Sequence, residues 1–146
     1  MSQHIFIKKK ALKKESCKKI VDEINNLEDY KSLYKQRKNY YCGTSVNVYE
    51  QFWSKNLFNC ILKYKNKHKF LDNKNHAGWI VNPECNYQKY KPNQYYMSEH
   101  CEQSGEEIES KRMLVWMIYC NTIKNGGETY FPQQKLSIKP EEGTIV

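Results

Sequence analysis

Closely spaced turn residues divide the second half of the chain into short apolar stretches. From about residue 79 the apolar residues alternate with polar ones, and turn signals such as Asn-Pro, Asn-Gly-Gly and Lys-Pro separate the stretches. This pattern is typical of antiparallel sandwiches and barrels. Stretch 112–122 is largely apolar, which predicts a long strand buried on both faces. The predicted strands are 79–81, 85–91, 95–102, 112–122, 128–131, 136–138 and 144–146.

The first half of the chain predicts helices. Apolar residues recur there at helical spacing in two places, which predicts helices at about 13–28 and 49–65. The apolar stripes consist of Cys17, Ile20, Val21, Ile24 and Leu27, and of Trp53, Leu57, Cys60, Ile61 and Tyr64. Residues 5–7 are a candidate first strand, and 30–45 a loop or weak strand. We therefore expect one domain, mainly β with N-terminal helices, in which 1–78 form a helical support region and 79–146 belong to the β core.

Composition and charge predict a soluble globular chain with a lysine-rich surface. The 146 residues are 39% hydrophobic and carry a net charge of +8, but the longest apolar run, 113–120, is far below the roughly 18 residues that span a bilayer. All basic residues except Arg37 and Arg112 are lysines. Because bidentate recognition of phosphates and guanines favours arginine, specific nucleic-acid binding is disfavoured. The six cysteines form no C-x-x-C pair, so we expect free thiols and a cytoplasmic location without membrane contact.

The tripeptide His100-Cys101-Glu102 is the main candidate for chemistry. Residues two positions apart on a strand face the same way, so the imidazole and the carboxylate would lie side by side. Such a pair supplies two members of a 2-His-1-carboxylate iron site, which leaves coordination positions open. H-x-E also occurs often by chance, and the alternative at this point is two exposed polar residues on a strand.

A longer series of motifs surrounds this pair. A tyrosine-rich stretch at 87–96 precedes it, and Arg-Met-Leu-Val-Trp-Met-Ile-Tyr-Cys-Asn at 112–121, Gly-Gly-Glu-Thr at 126–129 and Lys-Pro-Glu-Glu-Gly at 139–143 follow it. In this order the motifs resemble the iron(II)/2-oxoglutarate-dependent dioxygenases, specifically the prolyl 4-hydroxylase-like branch, over about residues 80–146. The resemblance implies a double-stranded β-helix, or jelly roll, with helices packed on one sheet.

The resemblance also implies roles for individual residues. His100 and Glu102 match the first two iron ligands, with Glu102 where the family more often has Asp. Tyr90 and Thr129 match positions that contact 2-oxoglutarate. The implied cofactors are Fe(II) and 2-oxoglutarate as co-substrate, with ascorbate as a candidate reductant. The implied reaction is hydroxylation of a protein or peptide residue, with proline suggested by the branch.

Two parts of the family's site have no counterpart in this sequence. The family has a second iron-binding His beyond the strand that Lys-Pro-x-x-Gly introduces, and a later Lys or Arg that pairs with 2-oxoglutarate. No His follows Glu102 here. We therefore expect a jelly roll that is incomplete at its C-terminus, carrying only the first half of the metal site. The alternatives are a non-catalytic jelly-roll binding module and a basic nucleic-acid-binding protein.

Overall fold

The fold combines two helices with small antiparallel sheets within the residues that the computed structural model describes, namely 4–26, 42–72, 78–96, 99–103, 105, 107 and 109–146. The helices are α1 (Lys14–Asn26) and α2 (Ser54–Lys67). The strands are β1 (Cys42–Asn47), β2 (Glu84–Lys89), β3 (Ile118–Tyr119), β4 (Thr129–Phe131), β5 (Leu136–Ile138) and β6 (Thr144–Ile145). They pair as β1–β2, β3–β6 and β4–β5. The described part of the chain is therefore a mixed α/β structure.

Helix α1 forms where the apolar stripe predicts it. Cys17, Ile20 and Ile24 are buried, while the lysines between them face solvent. The predicted range of 13–28 is confirmed except at its ends, and its last two residues lie outside the described part of the chain. Burial of this apolar face, rather than helix propensity alone, stabilises a helix of this length.

Helix α2 begins later than its stripe suggests. Leu57 and Cys60 are buried as predicted, but the helix starts at Ser54 instead of residue 49. The reason is local, because the side chain of Asn47 accepts a hydrogen bond from the Tyr49 amide (3.0 Å) and begins a separate 3-10 turn over Val48–Glu50. Neither described helix has the length and apolar character needed to cross a membrane.

Strand β1 lies between the two helices in sequence and pairs with β2 from the second half of the chain. The pairing runs from Cys42 opposite Lys89 to Asn47 opposite Glu84. The predicted strand at 85–91 is thus confirmed as β2, and the end of the 30–45 region forms β1. Residues 30–41 lie outside the described part of the chain.

Two predicted strands, the one that contains the candidate site and the one that follows it, are wrong. The described residues of 95–102 form no strand, and the long strand predicted at 112–122 is reduced to β3. Met113 and Val115 are 47% and 54% exposed, so this stretch is not buried on both faces. A strand needs a partner strand for its backbone N–H and C=O groups. Hydrogen bonds to residues 144–146 begin only at Met117, whose amide and carbonyl both bond to Val146 (3.0 Å each). The stretch at 79–81 is also without strand structure.

The later strand predictions agree better with the structure. Stretches 128–131, 136–138 and 144–146 appear as β4, β5 and β6. The candidate strand at 5–7 is absent, but the next residue, Lys8, forms an antiparallel bridge with Ile145 (2.8 and 3.0 Å). Gly143 then accepts from the amides of Ala11 and Leu12 (2.7 and 3.1 Å), so the segment before α1 is docked onto the last turn of the chain.

One apolar core joins these elements. At its centre Trp53 is 2% exposed, and its Nε1 donates to the Tyr87 hydroxyl (2.9 Å), which donates in turn to Gln51 (3.0 Å). The ring of Trp116 lies against Trp53 with 5.7 Å between centroids. The segment that leads into β3 is therefore anchored to the core. The buried members of the cluster are Leu12, Cys17, Ile20, Ile24, Val48, Trp53, Leu57, Cys60, Tyr87 and Ile145.

Candidate metal centre

The side chains of His100 and Glu102 converge in the segment between β2 and β3. Nε2 of His100 lies 3.2 Å from Oε1 of Glu102, and the two side chains are 42% and 41% exposed. This side-by-side placement agrees with the sequence prediction, although the strand expected to produce it is absent. The contact between the imidazole and the carboxylate therefore does not depend on a strand.

Arg112 and Tyr96 hold this pair from either side. Nη1 of Arg112 lies 3.1 Å from the Glu102 carbonyl oxygen and 3.2 Å from Glu102 Oε2, and it donates to both. The Tyr96 ring stacks on the His100 ring with 4.3 Å between centroids. Each oxygen of the carboxylate thus faces a different neighbour, Oε1 towards the imidazole and Oε2 towards the guanidinium.

The separation of the two donors is suitable for one metal ion. Two donors at right angles, each with a bond of about 2.1 Å to the metal, lie roughly 3.0 Å apart. The Nε2–Oε1 separation of 3.2 Å is close to this value. Imidazole nitrogen and carboxylate oxygen are also the ligand types of non-haem iron sites. The 3.2 Å separation is that of a hydrogen bond between the two side chains, and it also matches two neighbouring donors on one metal ion.

The described residues do not complete a triad around this pair. No group of three or more His, Cys, Asp or Glu side chains in the described part of the chain could hold one metal ion. The rings of His4 and His68 lie near each other in a tilted arrangement, with 6.0 Å between centroids, and His76 lies outside the described residues. A 2-His-1-carboxylate site at His100 and Glu102 needs a further histidine from elsewhere.

Tyr90, predicted to contact the co-substrate, follows directly after β2. It is 41% exposed, and its hydroxyl donates to Oε1 of Gln88 (3.1 Å) on that strand. This hydrogen bond joins Tyr90 to the end of its own strand, and a role towards 2-oxoglutarate stays a prediction.

Thr129, the second residue predicted to contact the co-substrate, opens β4. Its hydroxyl accepts from the Tyr119 hydroxyl (2.6 Å) and donates weakly to the Met117 sulfur (3.6 Å). Burial raises the pKa of Tyr119 above its usual value of 10.0, and the hydrogen bond with Thr129 offsets only part of this rise. The phenol therefore keeps its proton at neutral pH and donates it to the hydrogen bond. The sequence interpretation did not select Tyr119, but the two-residue period places it on the same side of the chain as Met117, which was a usable signal.

Comparison with known proteins supports a distant relationship to one named hydroxylase. A protein of Acanthamoeba polyphaga mimivirus named "Putative prolyl 4-hydroxylase" is 40% identical to this chain over 63 residues, which cover 38% of this chain and 26% of that protein. The match thus spans about a quarter of the relative's length. No protein-family model and no solved structure matches the chain.

Proposed function

We propose that this chain is part of an Fe(II)- and 2-oxoglutarate-dependent dioxygenase of the prolyl 4-hydroxylase-like branch, and that His100 and Glu102 are two of its iron ligands. The observation that carries the proposal is the convergence of His100 Nε2 and Glu102 Oε1 at 3.2 Å. The name of the mimivirus protein supports the same branch. When bound, iron and 2-oxoglutarate would supply the activation of O₂ for hydroxylation of a C–H bond.

The protein residues have separate parts in this proposal. His100 and Glu102 bind the metal, and the triad needs a second histidine that this sequence does not offer at the family's position. Tyr90 and Thr129 contact the co-substrate, and the hydrogen bond from Tyr119 (2.6 Å) fixes the orientation of the Thr129 hydroxyl. Region 79–146 belongs to a jelly roll of which β3–β6 and β4–β5 are parts, supported by region 1–78.

The substrate we propose is a prolyl residue of a protein or peptide. The support is the name of the similar mimivirus protein, "Putative prolyl 4-hydroxylase". In this proposal ascorbate is a reductant that is added to the assay. A cytoplasmic location is consistent with the free thiols at Cys17, Cys60, Cys85, Cys101 and Cys120, because such thiols persist in a reducing compartment.

Binding of Mn(II), a redox-stable substitute for Fe(II), tests the metal pair. We expect His100→Ala and Glu102→Gln each to weaken Mn(II) binding at least tenfold, measured by the electron paramagnetic resonance signal of free Mn(II). The matched controls His4→Ala and Glu107→Gln remove the same groups elsewhere and should leave binding unchanged. Glu107 suits this purpose because its side chain is 89% exposed. Equal binding by all four variants would contradict the assignment of the metal ligands.

Turnover is tested separately, with the 146-residue chain and with the longer product if the gene continues past Val146. Succinate release from 2-oxoglutarate is followed with Fe(II), ascorbate and proline-containing peptides. We expect no release above background from the 146-residue chain, whose metal site is incomplete, and Fe(II)-dependent release from a longer product that supplies the second histidine, lost there in His100→Ala. A continued chain that adds no histidine, or one that releases no succinate with Fe(II) present, would exclude an active dioxygenase.

A further inference from the structure

Arg112 contacts only one of the two carboxylate oxygens of Glu102 and leaves the other directed towards His100. One guanidinium nitrogen, Nη1, reaches both the backbone carbonyl of Glu102 (3.1 Å) and its Oε2 (3.2 Å). The other oxygen, Oε1, faces His100 Nε2 at 3.2 Å. The side chain of Glu102 is therefore tied at one oxygen while the other is directed towards the imidazole.

We propose that Arg112 is a positioning residue that keeps Glu102 a monodentate metal ligand through Oε1. This inference rests on the proposed function, since it assumes that His100 and Glu102 bind a metal ion. Glutamate has one more rotatable bond than aspartate, so an unrestrained Glu102 would lose more rotamer entropy on binding metal. Arg112 removes part of that freedom in advance, and it occupies the oxygen that would otherwise make a second bond to the metal.

The location of Arg112 suits it for this task. It lies at the start of the segment that leads past Trp116, which is packed on Trp53, to Met117, which is hydrogen-bonded to Val146. Arg112 and Glu102 both lie outside strand structure, but Arg112 is only four residues from Trp116, which contacts the core. Because the ion pair is partly exposed, its own contribution to stability is small. We expect its effect on the geometry of the metal site instead.

Positioning and charge have opposite effects on metal affinity, and this difference makes the inference testable. The positive charge of Arg112 repels a cation at the neighbouring site, so removing the charge alone should strengthen metal binding. Removing a residue that orients a metal ligand typically weakens binding by about 10- to 100-fold. Weaker binding after removal of Arg112 would thus have to come from lost positioning.

The experiment is a titration of the 146-residue chain with Co(II), followed by the visible d–d absorption of the bound ion. We expect Arg112→Gln to weaken Co(II) binding by about 10-fold or more and to change the absorption spectrum, because the released Oε2 can join the coordination. Arg112→Lys, which keeps the charge and one donor, should recover part of the affinity. The control Lys111→Gln removes the adjacent charge, which belongs to a pair with Glu107 (3.6 Å), and should bind Co(II) as tightly as the unchanged chain or more tightly.

The outcomes separate this inference from the proposed function. If His100→Ala and Glu102→Gln weaken Co(II) binding but Arg112→Gln binds with unchanged or higher affinity and an unchanged spectrum, the positioning role is wrong and the metal pair stands. If His100→Ala and Glu102→Gln have no effect, or if the chain binds no Co(II), both ideas are overturned. Circular dichroism of Arg112→Gln and Arg112→Lys identifies any loss of fold. A folded Arg112→Lys variant that binds Co(II) no more tightly than Arg112→Gln would count against positioning through the contact with Glu102.

Discussion

Replacing Gly143 with alanine tests how the last turn of the chain is joined to the segment before α1. Gly143 has a φ of +78°, and a Cβ built on it would lie 2.4 Å from the carbonyl oxygen of Leu12. The same residue accepts from the amides of Ala11 and Leu12 and donates to the carbonyl of Tyr119 (2.8 Å). The methyl group therefore meets the very backbone with which Gly143 forms its hydrogen bonds.

Two costs make up the expected destabilisation. An alanine in the left-handed region costs roughly 1–2 kcal/mol. Relieving a contact of 2.4 Å requires the Leu12 backbone to move, and overpacking of this kind typically costs about 1–3 kcal/mol. We expect Gly143→Ala to lower the free energy of unfolding by about 3 kcal/mol in total, a shift of roughly 10 °C in Tm for a chain of this size.

Urea unfolding followed by tryptophan fluorescence and circular dichroism measures this loss. The control is Gly126→Ala, because Gly126 has a similar φ of +80° but no atom within 4 Å of the added Cβ. Gly126→Ala should lower the free energy of unfolding only by the cost of placing alanine in the left-handed region, about 1–2 kcal/mol. Equal losses in the two variants would refute the reasoning, since they would show that the turn and the segment before α1 are not in close contact.

Three further predictions concern buried polar groups. Tyr87→Phe should lower the free energy of unfolding by about 2 kcal/mol in urea titrations, because Trp53 Nε1 loses its buried acceptor; a loss no larger than that of the exposed control Tyr130→Phe would contradict this. Burial raises the pKa of Cys120 from 9.0 to about 12. Its contribution to stability is therefore complete below pH 9, falls by on the order of 1 kcal/mol by pH 10, and is gone above pH 12. Cys120→Ala should reduce the fall in stability between pH 8 and 10, and an unchanged fall would count against a buried thiol. Thr144→Val should raise Tm by a few degrees, because Thr144 Oγ1 is buried without a hydrogen-bond partner among the described residues, and a lower Tm would reveal a partner.

The candidate site illustrates how far local sequence patterns reach. The strand alternation from which His100 and Glu102 were predicted to lie side by side is absent, but with the single residue Cys101 between them the two side chains still meet at 3.2 Å. The contact between Arg112 and Glu102 spans ten residues, and that between Tyr119 and Thr129 also spans ten. Neither follows from spacing, since both depend on how the connecting segments fold back.

The same distinction separates the helices from the strands. The stripe of Cys17, Ile20 and Ile24 was enough to predict α1, because helical hydrogen bonds close within four residues and the sequence contains both partners of each bond. A strand depends on a partner that is distant in sequence, and apolar alternation at 112–122 says nothing about whether one arrives. Val146 pairs with Met117, and β6 with β3, so strand structure begins there and not at Arg112. Only the folded chain determines which apolar stretches find such partners and which guanidinium reaches the carboxylate of Glu102.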